Sequence, residues 1–315
     1  MGRTLLVDLR ELTAAQRAAI ADAARAQGFE VRFRTPDEPL SDAEVYFGAD
    51  RRILEAAPGL RWICVPSAGV DVYAAPAAAR GVLLSNSSGA YGVTIAEHVI
   101  MVTLELMRRQ ADYNGIVGRR DWVRDLTIRS IRGSRVTLLG TGDLGREIAR
   151  RLRGFAPASV VGVNRRGRAE PGLFDAVHTL PALDALLPET DLLVMTLPGT
   201  AETAGVMDAR RLALLPADAF LVNVGRGSAV DQAALLEMLR AGRLGGAALD
   251  VFEREPLPVD DPAWDCPRLL ITPHVAGNMT LPYTVERIAA LFLEDFERYC
   301  ADLPLLRRID PAQGY

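Results

Sequence analysis

The chain has 315 residues, enough for about two domains of roughly 100–200 residues each. Hydrophobic residues make up 49% and charged residues 24%, which excludes an intrinsically disordered chain. All 36 basic residues are arginines and the net charge is −4, so there is no basic excess for nucleic acid and no lysine for a phosphate-loop NTPase, a pyridoxal enzyme or a kinase.

Leu5-Leu6-Val7-Asp8 predicts a strand. Thr13-Ala14-Ala15-Gln16 then has the form of a capping box, opening an alanine-rich helix that ends near Gly28. Val31 and Phe33 alternate with arginines as in an edge or half-exposed strand, and Val45-Tyr46-Phe47 predicts the next strand. A short helix over 51–56 stops at Pro58-Gly59, Trp62-Ile63-Cys64-Val65 is a strand, Gly81 ends a further helix, and Val82-Leu83-Leu84 is another strand. This alternation predicts a parallel sheet. A long helix over 95–109 leads into a polar region through Asp125, and a second strand–helix series begins at Val136. Its strands are expected at 136–139, 160–163, 192–196, 220–224, 247–249 and 269–271, followed by a last helix over 283–299. No apolar run approaches the ~18 residues of a membrane span, and the N-terminus lacks a basic-then-apolar leader, so a cytoplasmic protein without a membrane or nucleic-acid partner is expected. Cys64, Cys266 and Cys300 are isolated, and His98, His178 and His274 have no metal-binding spacing, so no metal site is expected.

The strand ending at Leu139 runs into Gly140-Thr141-Gly142-Asp143-Leu144-Gly145 and then a helical pattern. Strand, Gly-x-Gly-x-x-Gly and helix in that order form a dinucleotide fingerprint. The glycines permit the tight turn, the approach of backbone amides to a pyrophosphate and close packing of helix on strand, and the helix N-terminus favours anions. An NAD site commonly places an acid about 20 residues further on. Here the second strand ends in Asn164-Arg165-Arg166. With no carboxylate to repel a 2′-phosphate and two guanidiniums to receive it, the expected cofactor is NADP(H), with NAD(H) as the alternative. The bland reading is that Arg165 and Arg166 are solvated loop charges.

Three further segments begin with an apolar strand and end in polar residues at a turn: Asn223-Val224-Gly225-Arg226-Gly227, Leu249-Asp250 through Glu255-Pro256, and Thr272-Pro273-His274 through Gly277. The carboxyl ends of strands in a doubly wound sheet line the ligand crevice, so Arg226, Glu255 and His274 are expected to converge. Singly, each has a structural explanation. Together they fit proton donation by His274, orientation of its ring by Glu255 and binding of a carboxylate by Arg226. Glu253 is the rival to Glu255.

Along essentially its whole length the chain resembles the D-isomer-specific 2-hydroxyacid dehydrogenases. The resemblance rests on Val65-Pro66-Ser67-Ala68-Gly69-Val70-Asp71, Ile95-Ala96-Glu97-His98, the glycine fingerprint, Leu197-Pro198-Gly199-Thr200-Ala201-Glu202-Thr203 and the three segments above. It implies two Rossmann-like, doubly wound parallel-sheet α/β domains with the active site in the cleft between them. The substrate domain would comprise 1–93 and 283–315, and the dinucleotide domain 94–282. It also implies a homodimer that reduces a 2-oxoacid to a D-2-hydroxyacid. Ser67, Ala68, Gly69 and Arg226 would bind the substrate, and the carboxylate directly before the proline, Glu255, would be the catalytic one. Leu197, Pro198, Thr203, Val224, Gly225, Asp250 and Gly277 would join residues 140–145 and 164–166 around the cofactor, with Asp250 toward the nicotinamide carboxamide. The chain departs from many members in its short Ser67-Ala68-Gly69 segment and in Asn164-Arg165-Arg166. It ends at Tyr315, which on this reading argues against the long, serine-regulated phosphoglycerate dehydrogenases. The alternatives are an NAD-linked glyoxylate- or phosphoglycerate-type dehydrogenase and a non-catalytic NAD(H)-sensing corepressor. His98 is expected to be a packing or supporting group and His178 a surface residue. Asp143 is expected to point to solvent, and Trp264 and Tyr283 either shape the substrate pocket or pack in the core.

Overall fold

The structure, a computed structural model, describes residues 3–35 and 37–310. The chain forms two compact units, Met1–Tyr91 with Asn278–Tyr315, and Gly92–Gly277. The boundaries expected from sequence, after residues 93 and 282, lie slightly further along.

The first unit starts with β1 (Arg3–Asp8), α1 (Ala14–Ala26), β2 (Phe29–Phe33), β3 (Val45–Gly48), α2 (Ile53–Ala56), β4 (Trp62–Cys64), α3 (Ala74–Ala79) and β5 (Leu83–Ser85). Both halves of the α1 capping box form: the Thr13 hydroxyl accepts from the Gln16 amide and the Gln16 side chain accepts from the Thr13 amide. The strands form a parallel sheet in the order β2-β1-β3-β4-β5. That order reverses between β1 and β3, so it is doubly wound, with β2 at an edge as its alternating pattern predicts.

The second unit contains α4 (Gly92–Met107), α5 (Gln110–Gly118), β6 (Arg135–Leu139), α6 (Asp143–Arg153), β7 (Ser159–Val163), β8 (Ala176–His178), α7 (Leu183–Leu186), β9 (Leu192–Met195), α8 (Ala209–Leu212), β10 (Phe220–Asn223), α9 (Gln232–Arg240), β11 (Gly246–Leu249) and β12 (Leu269–Ile271). The polar region expected after Arg109 therefore opens with a helix. An extra strand, β8, places His178 half-buried at a sheet edge instead of on an open surface. All seven strands are parallel, in the order β12-β11-β10-β9-β6-β7-β8. The order turns back between β6 and β9, the switch point at which such sheets bind ligands. Every residue of β9, β10 and β11 is buried, as in central parallel strands covered on both faces. Helix α4 packs with α6, β10 and β11, which makes it part of this unit.

The last helix, α10 (Pro282–Cys300), belongs to the first unit. Its Phe292 stacks on Phe47 at 4.2 Å and lies 5.6 Å from Trp62, and its Phe296 meets Phe29 edge-on at 5.2 Å. These buried rings join the chain's last helix to its first strands.

Candidate active site

The switch point carries the glycine loop. Gly140 has φ of +104°, a left-handed conformation natural to glycine, and a Cβ there would strike Thr196 Oγ1. A Cβ on Gly145 would overlap the carbonyl oxygen of Gly140, so β6 and α6 approach this closely only with glycine. Gly142 has nothing within 4 Å of its Cβ position. It caps α6 without a side-chain hydrogen bond, which leaves first-turn amides available. An open face, an uncapped helix N-terminus and close strand–helix packing fit a dinucleotide pyrophosphate. Asp143 does not point wholly to solvent. Its Oδ2 is buried against the Gly92 position of α4, and its Oδ1 lies 3.9 Å from Arg146.

After β7, Asn164 fastens its own loop. Its Nδ2 donates to Thr141 Oγ1 at 2.5 Å and to the Arg168 carbonyl at 2.8 Å, while its Oδ1 accepts from the amides of Arg166 and Gly167. Asn164 thus ties the arginine loop to the glycine loop. The Asn164 amide also donates to the His178 carbonyl at 2.9 Å. Arg165, Arg166 and Arg168 are all exposed, and the guanidiniums of Arg166 and Arg168 have no partner among the described residues. Arg168 has no place in the sequence expectation. The signal that could have found it is a third arginine five residues after the strand end.

Beyond β9, Thr203 Oγ1 donates to the Pro198 carbonyl at 2.6 Å and accepts from the Thr200 amide, closing the Leu197–Thr203 turn. At the end of β10, a Cβ on Gly225 would lie 2.6 Å from the Leu197 carbonyl oxygen, and one on Gly227 would overlap the backbone of Phe252. Asn223 clamps the turn between them, accepting from the Gly225 amide and donating to the Arg226 carbonyl, each at 3.0 Å. Val224 follows β10 and is buried. Arg226 Nη1 donates to the Gly225 carbonyl at 2.8 Å, and the side chain is half-buried.

Beyond β11 and β12, His274 Nδ1 lies 2.7 Å from Glu255 Oε2, and Glu255 Oε1 accepts from the Phe252 amide at 2.9 Å. Among the described residues, Glu253 makes no such contact with the ring. His274 has φ of 53°, uncommon for a residue with a Cβ, and backbone hydrogen bonds hold it there. Its amide donates to the Asp250 carbonyl at 2.8 Å, and the next two amides donate to the Asp250 carboxylate. Gly277 closes the segment, half-buried. Trp264 Nε1 donates to the Pro258 carbonyl at 2.7 Å, bracing the loop after Glu255, while Tyr283 lies exposed on α10.

In the first unit, the segment after β4 is pinned from several sides. Asn86 Nδ2 donates to the Ala68 carbonyl at 2.7 Å, Ser87 Oγ to the Val65 carbonyl at 3.1 Å and Tyr91 to the Pro66 carbonyl at 2.6 Å. Ser67 Oγ donates to the Gly69 carbonyl at 2.7 Å. The amides of Ala68 and Gly69 have no acceptor among the described residues. Sequence reasoning missed Asn86, Ser87 and Tyr91. Their only signal is a polar Ser85–Ser88 run directly after a strand.

A family model for the D-isomer specific 2-hydroxyacid dehydrogenase NAD-binding domain matches residues 100–276. A glyoxylate/hydroxypyruvate reductase B of Pectobacterium carotovorum is 34% identical over 256 residues, 78% of this chain and 79% of that protein. A crystal structure of a D-isomer specific 2-hydroxyacid dehydrogenase family protein from Aeromonas salmonicida superposes with a TM-score of 0.85 at 34% identity, covering 98% of this chain and 99% of that one. An NADPH-dependent glyoxylate/hydroxypyruvate reductase from Sinorhizobium meliloti, solved with NADP and sulfate, gives 0.83 at 30% identity, covering 99% and 100%. With the dinucleotide loop at its switch point and a matched family domain spanning more than half its length, the chain belongs to the D-isomer specific 2-hydroxyacid dehydrogenase family.

Proposed function

We propose that the protein is an NADP(H)-preferring reductase that converts a small 2-oxoacid into a D-2-hydroxyacid. His274 is its acid, Glu255 orients that acid, and Arg226 anchors the substrate. The observation that carries this reading is the 2.7 Å pairing of His274 Nδ1 with Glu255 Oε2, on the sheet that also bears the glycine loop.

A nicotinamide held at the switch point would supply the hydride for the substrate's carbonyl carbon. The protein residues manage the charge that then grows on the carbonyl oxygen. Because Glu255 engages Nδ1, the nitrogen left to deliver a proton is Nε2. Glu255 is itself held by the Phe252 amide, so the ring has a fixed orientation. The planar fork of Arg226 suits a carboxylate. In the first unit the amides of Ala68 and Gly69, which have no acceptor among the described residues, suit an anion. On the cofactor side, Gly140, Thr141, Gly142, Asp143, Leu144 and Gly145 form the pyrophosphate turn. Leu197, Pro198, Thr203, Val224, Gly225, Asp250 and Gly277 line the approach to the nicotinamide. Arg165, Arg166 and Arg168 are assigned to the 2′-phosphate, on the loop that Asn164 braces. The Sinorhizobium relative, described as NADPH-dependent, supports this choice, and its substrates make glyoxylate and hydroxypyruvate the first to try. The protein is further proposed to act in the cytoplasm as a homodimer, with no nucleic-acid or membrane partner. Among the described residues no helix is long and apolar enough to cross a membrane.

The test is an initial-rate panel of 2-oxoacids, each assayed with NADPH and NADH in parallel. Turnover of at least one small 2-oxoacid, faster with NADPH, is expected. No oxidation of either cofactor across the panel would overturn the reading and favour a ligand-sensing protein.

A further inference from the structure

The loop that bears His274 is fastened from behind by three side chains, two of which have no place in the mechanism above. Asp250 follows β11 and is 3% exposed. Its Oδ1 accepts from the Val275 amide at 2.9 Å and from Thr272 Oγ1 at 2.5 Å, and its Oδ2 accepts from the Ala276 amide at 3.0 Å. Both carboxylate oxygens are therefore engaged by the segment 272–276. Thr272 Oγ1 also lies 3.3 Å from His98 Nε2 on α4. The polarity of this chain is fixed by chemistry. The carboxylate can only accept, so the single hydroxyl proton of Thr272 goes to Asp250, and His98 must donate its Nε2–H to the Thr272 oxygen. Burial lowers the His98 pKa against the opposing pull of Asp250. The neutral Nε2–H tautomer suffices for this bond.

We propose that Thr272 and His98 are positioning residues for the acid. They act through Asp250 to hold His274 in its left-handed backbone conformation with its ring on Glu255. The inference rests on the functional reading above for what His274 does, while the fastening itself stands on geometry. A carboxylate is free to rotate about its last side-chain bond. Only one orientation serves the two amides on either side of it, and the Thr272 hydroxyl, placed by His98, selects that orientation. The amides of 274, 275 and 276 then converge on one residue, and an unfavourable φ is held by the structure around it. His98 is thus the link from the long helix α4 to the catalytic loop.

Thr272→Val removes the hydroxyl and keeps the shape. With NADPH and the best 2-oxoacid of the panel, kcat is expected to fall about 10- to 100-fold, the effect of a slightly misplaced catalytic group, with KM for NADPH nearly unchanged. Hydrogen exchange at the amides of 274–276 is expected to speed up about tenfold. Thr272→Ser should restore both. His98→Phe, which fills the space without a donor, should shift both readouts the same way by a smaller factor. In a His274→Ala background, Thr272→Val should cost no further rate, since nothing remains to be positioned. The exchange measurement needs no turnover. A parent protein inactive on every 2-oxoacid would sink the functional reading, and exchange alone would then decide this one. Unchanged exchange at 274–276 in Thr272→Val, or losses that serine does not restore, would overturn the inference.

Discussion

His274 shows how much a single residue depends on its neighbours. Its side chain is 52% exposed, so no core packing orients the ring, and the work falls to one carboxylate and one strained backbone. Glu255 performs that task, while Glu253, two residues earlier, does not reach the ring. The sequence offered a reason to choose between them only through the family pattern, because a hydrogen bond spanning 19 residues leaves no local trace. Removing the imidazole should therefore remove chemistry and little else. His274→Ala is expected to lower kcat for 2-oxoacid reduction by about 10²–10⁴-fold, the usual contribution of one general acid, with NADPH affinity within a few-fold of the parent. Steady-state rates together with cofactor titration by fluorescence check this, and near-parent turnover would take His274 out of the mechanism.

Elements were legible where their own residues decide them. Thr13 and Gln16 announce the start of α1, and the buried runs of β9 and β10 read as central strands. Helix α5 was not legible, because Asn114, Gly115 and Gly118 are poor helix formers and it starts from Arg109 in a left-handed conformation. Strand β8 is three residues long and exists by pairing with β7, which no local pattern encodes. The same division runs through the candidate site. The glycine loop and the polar strand ends are local signals, whereas the bracing of Arg166 and Arg168 by Asn164 is tertiary. That bracing sharpens the cofactor prediction. Asn164→Asp keeps an acceptor for the Arg166 and Gly167 amides but loses both Nδ2 bonds and adds a charge that repels a 2′-phosphate. Combined with Arg166→Ala it should reverse a preference for NADPH over NADH. One charge-assisted contact worth ~1.5–3 kcal/mol corresponds to about ten- to a hundredfold. Parallel kcat/KM values for the two cofactors measure it, and a parent that favours NADH would make these arginines solvated loop charges. Helix α10 is also fastened to the first unit's sheet by a carboxylate. Glu44, just before β3, accepts from Arg3 Nη2 at 2.8 Å and from the Tyr299 hydroxyl at 2.9 Å. Burial pushes the Glu44 carboxyl up, but the hydrogen bonds from Arg3 and Tyr299 outweigh it and hold the group below its ordinary range. A carboxyl depressed in the folded state adds stability above its unfolded pKa of ~4.3 and loses it as pH falls through the lower folded value. Glu44→Gln should therefore cost about 1 kcal/mol at pH 7, a modest figure because Arg3 is partly exposed. The gap to the parent should close below about pH 4 in denaturant titrations. A gap independent of pH would mean that packing, and not charge, makes the difference.

At the scale of the whole molecule, each of the two units has a buried core, yet large apolar side chains on the second are left in water along one stretch of chain. Met101, Val117, Trp122, Val123 and Ile128 are exposed at 51%, 65%, 84%, 43% and 42%. They lie on α4, on α5 and on the segment 119–130, which has no helix or strand. Isolated exposed apolar residues need no explanation, but a tryptophan and four other large apolar residues exposed within 28 residues of chain are the candidates for the interface of the proposed homodimer. In that homodimer, if it forms, a second copy of the chain would cover them. A two-fold axis would use the same residues on both chains, so such a dimer would remove two copies of Trp122 from water. A central tryptophan commonly contributes about 2 kcal/mol or more to such an interface, so Trp122→Glu should weaken association by at least about 30-fold. The parent should sediment at twice the chain mass of 34.1 kDa at micromolar concentration, and the variant should move toward the single mass. Far-UV circular dichroism of the two should agree, because the exposed ring supports nothing within its own chain. Fluorescence gives an independent reading. Trp62 is fully buried in the first unit, so a red-shifted contribution lost on association belongs to Trp122 or to the half-exposed Trp264. Trp264→Phe separates the two. A parent that sediments as a monomer with Trp122 still emitting as a solvated indole would leave these residues without a partner copy, and the homodimer would be wrong.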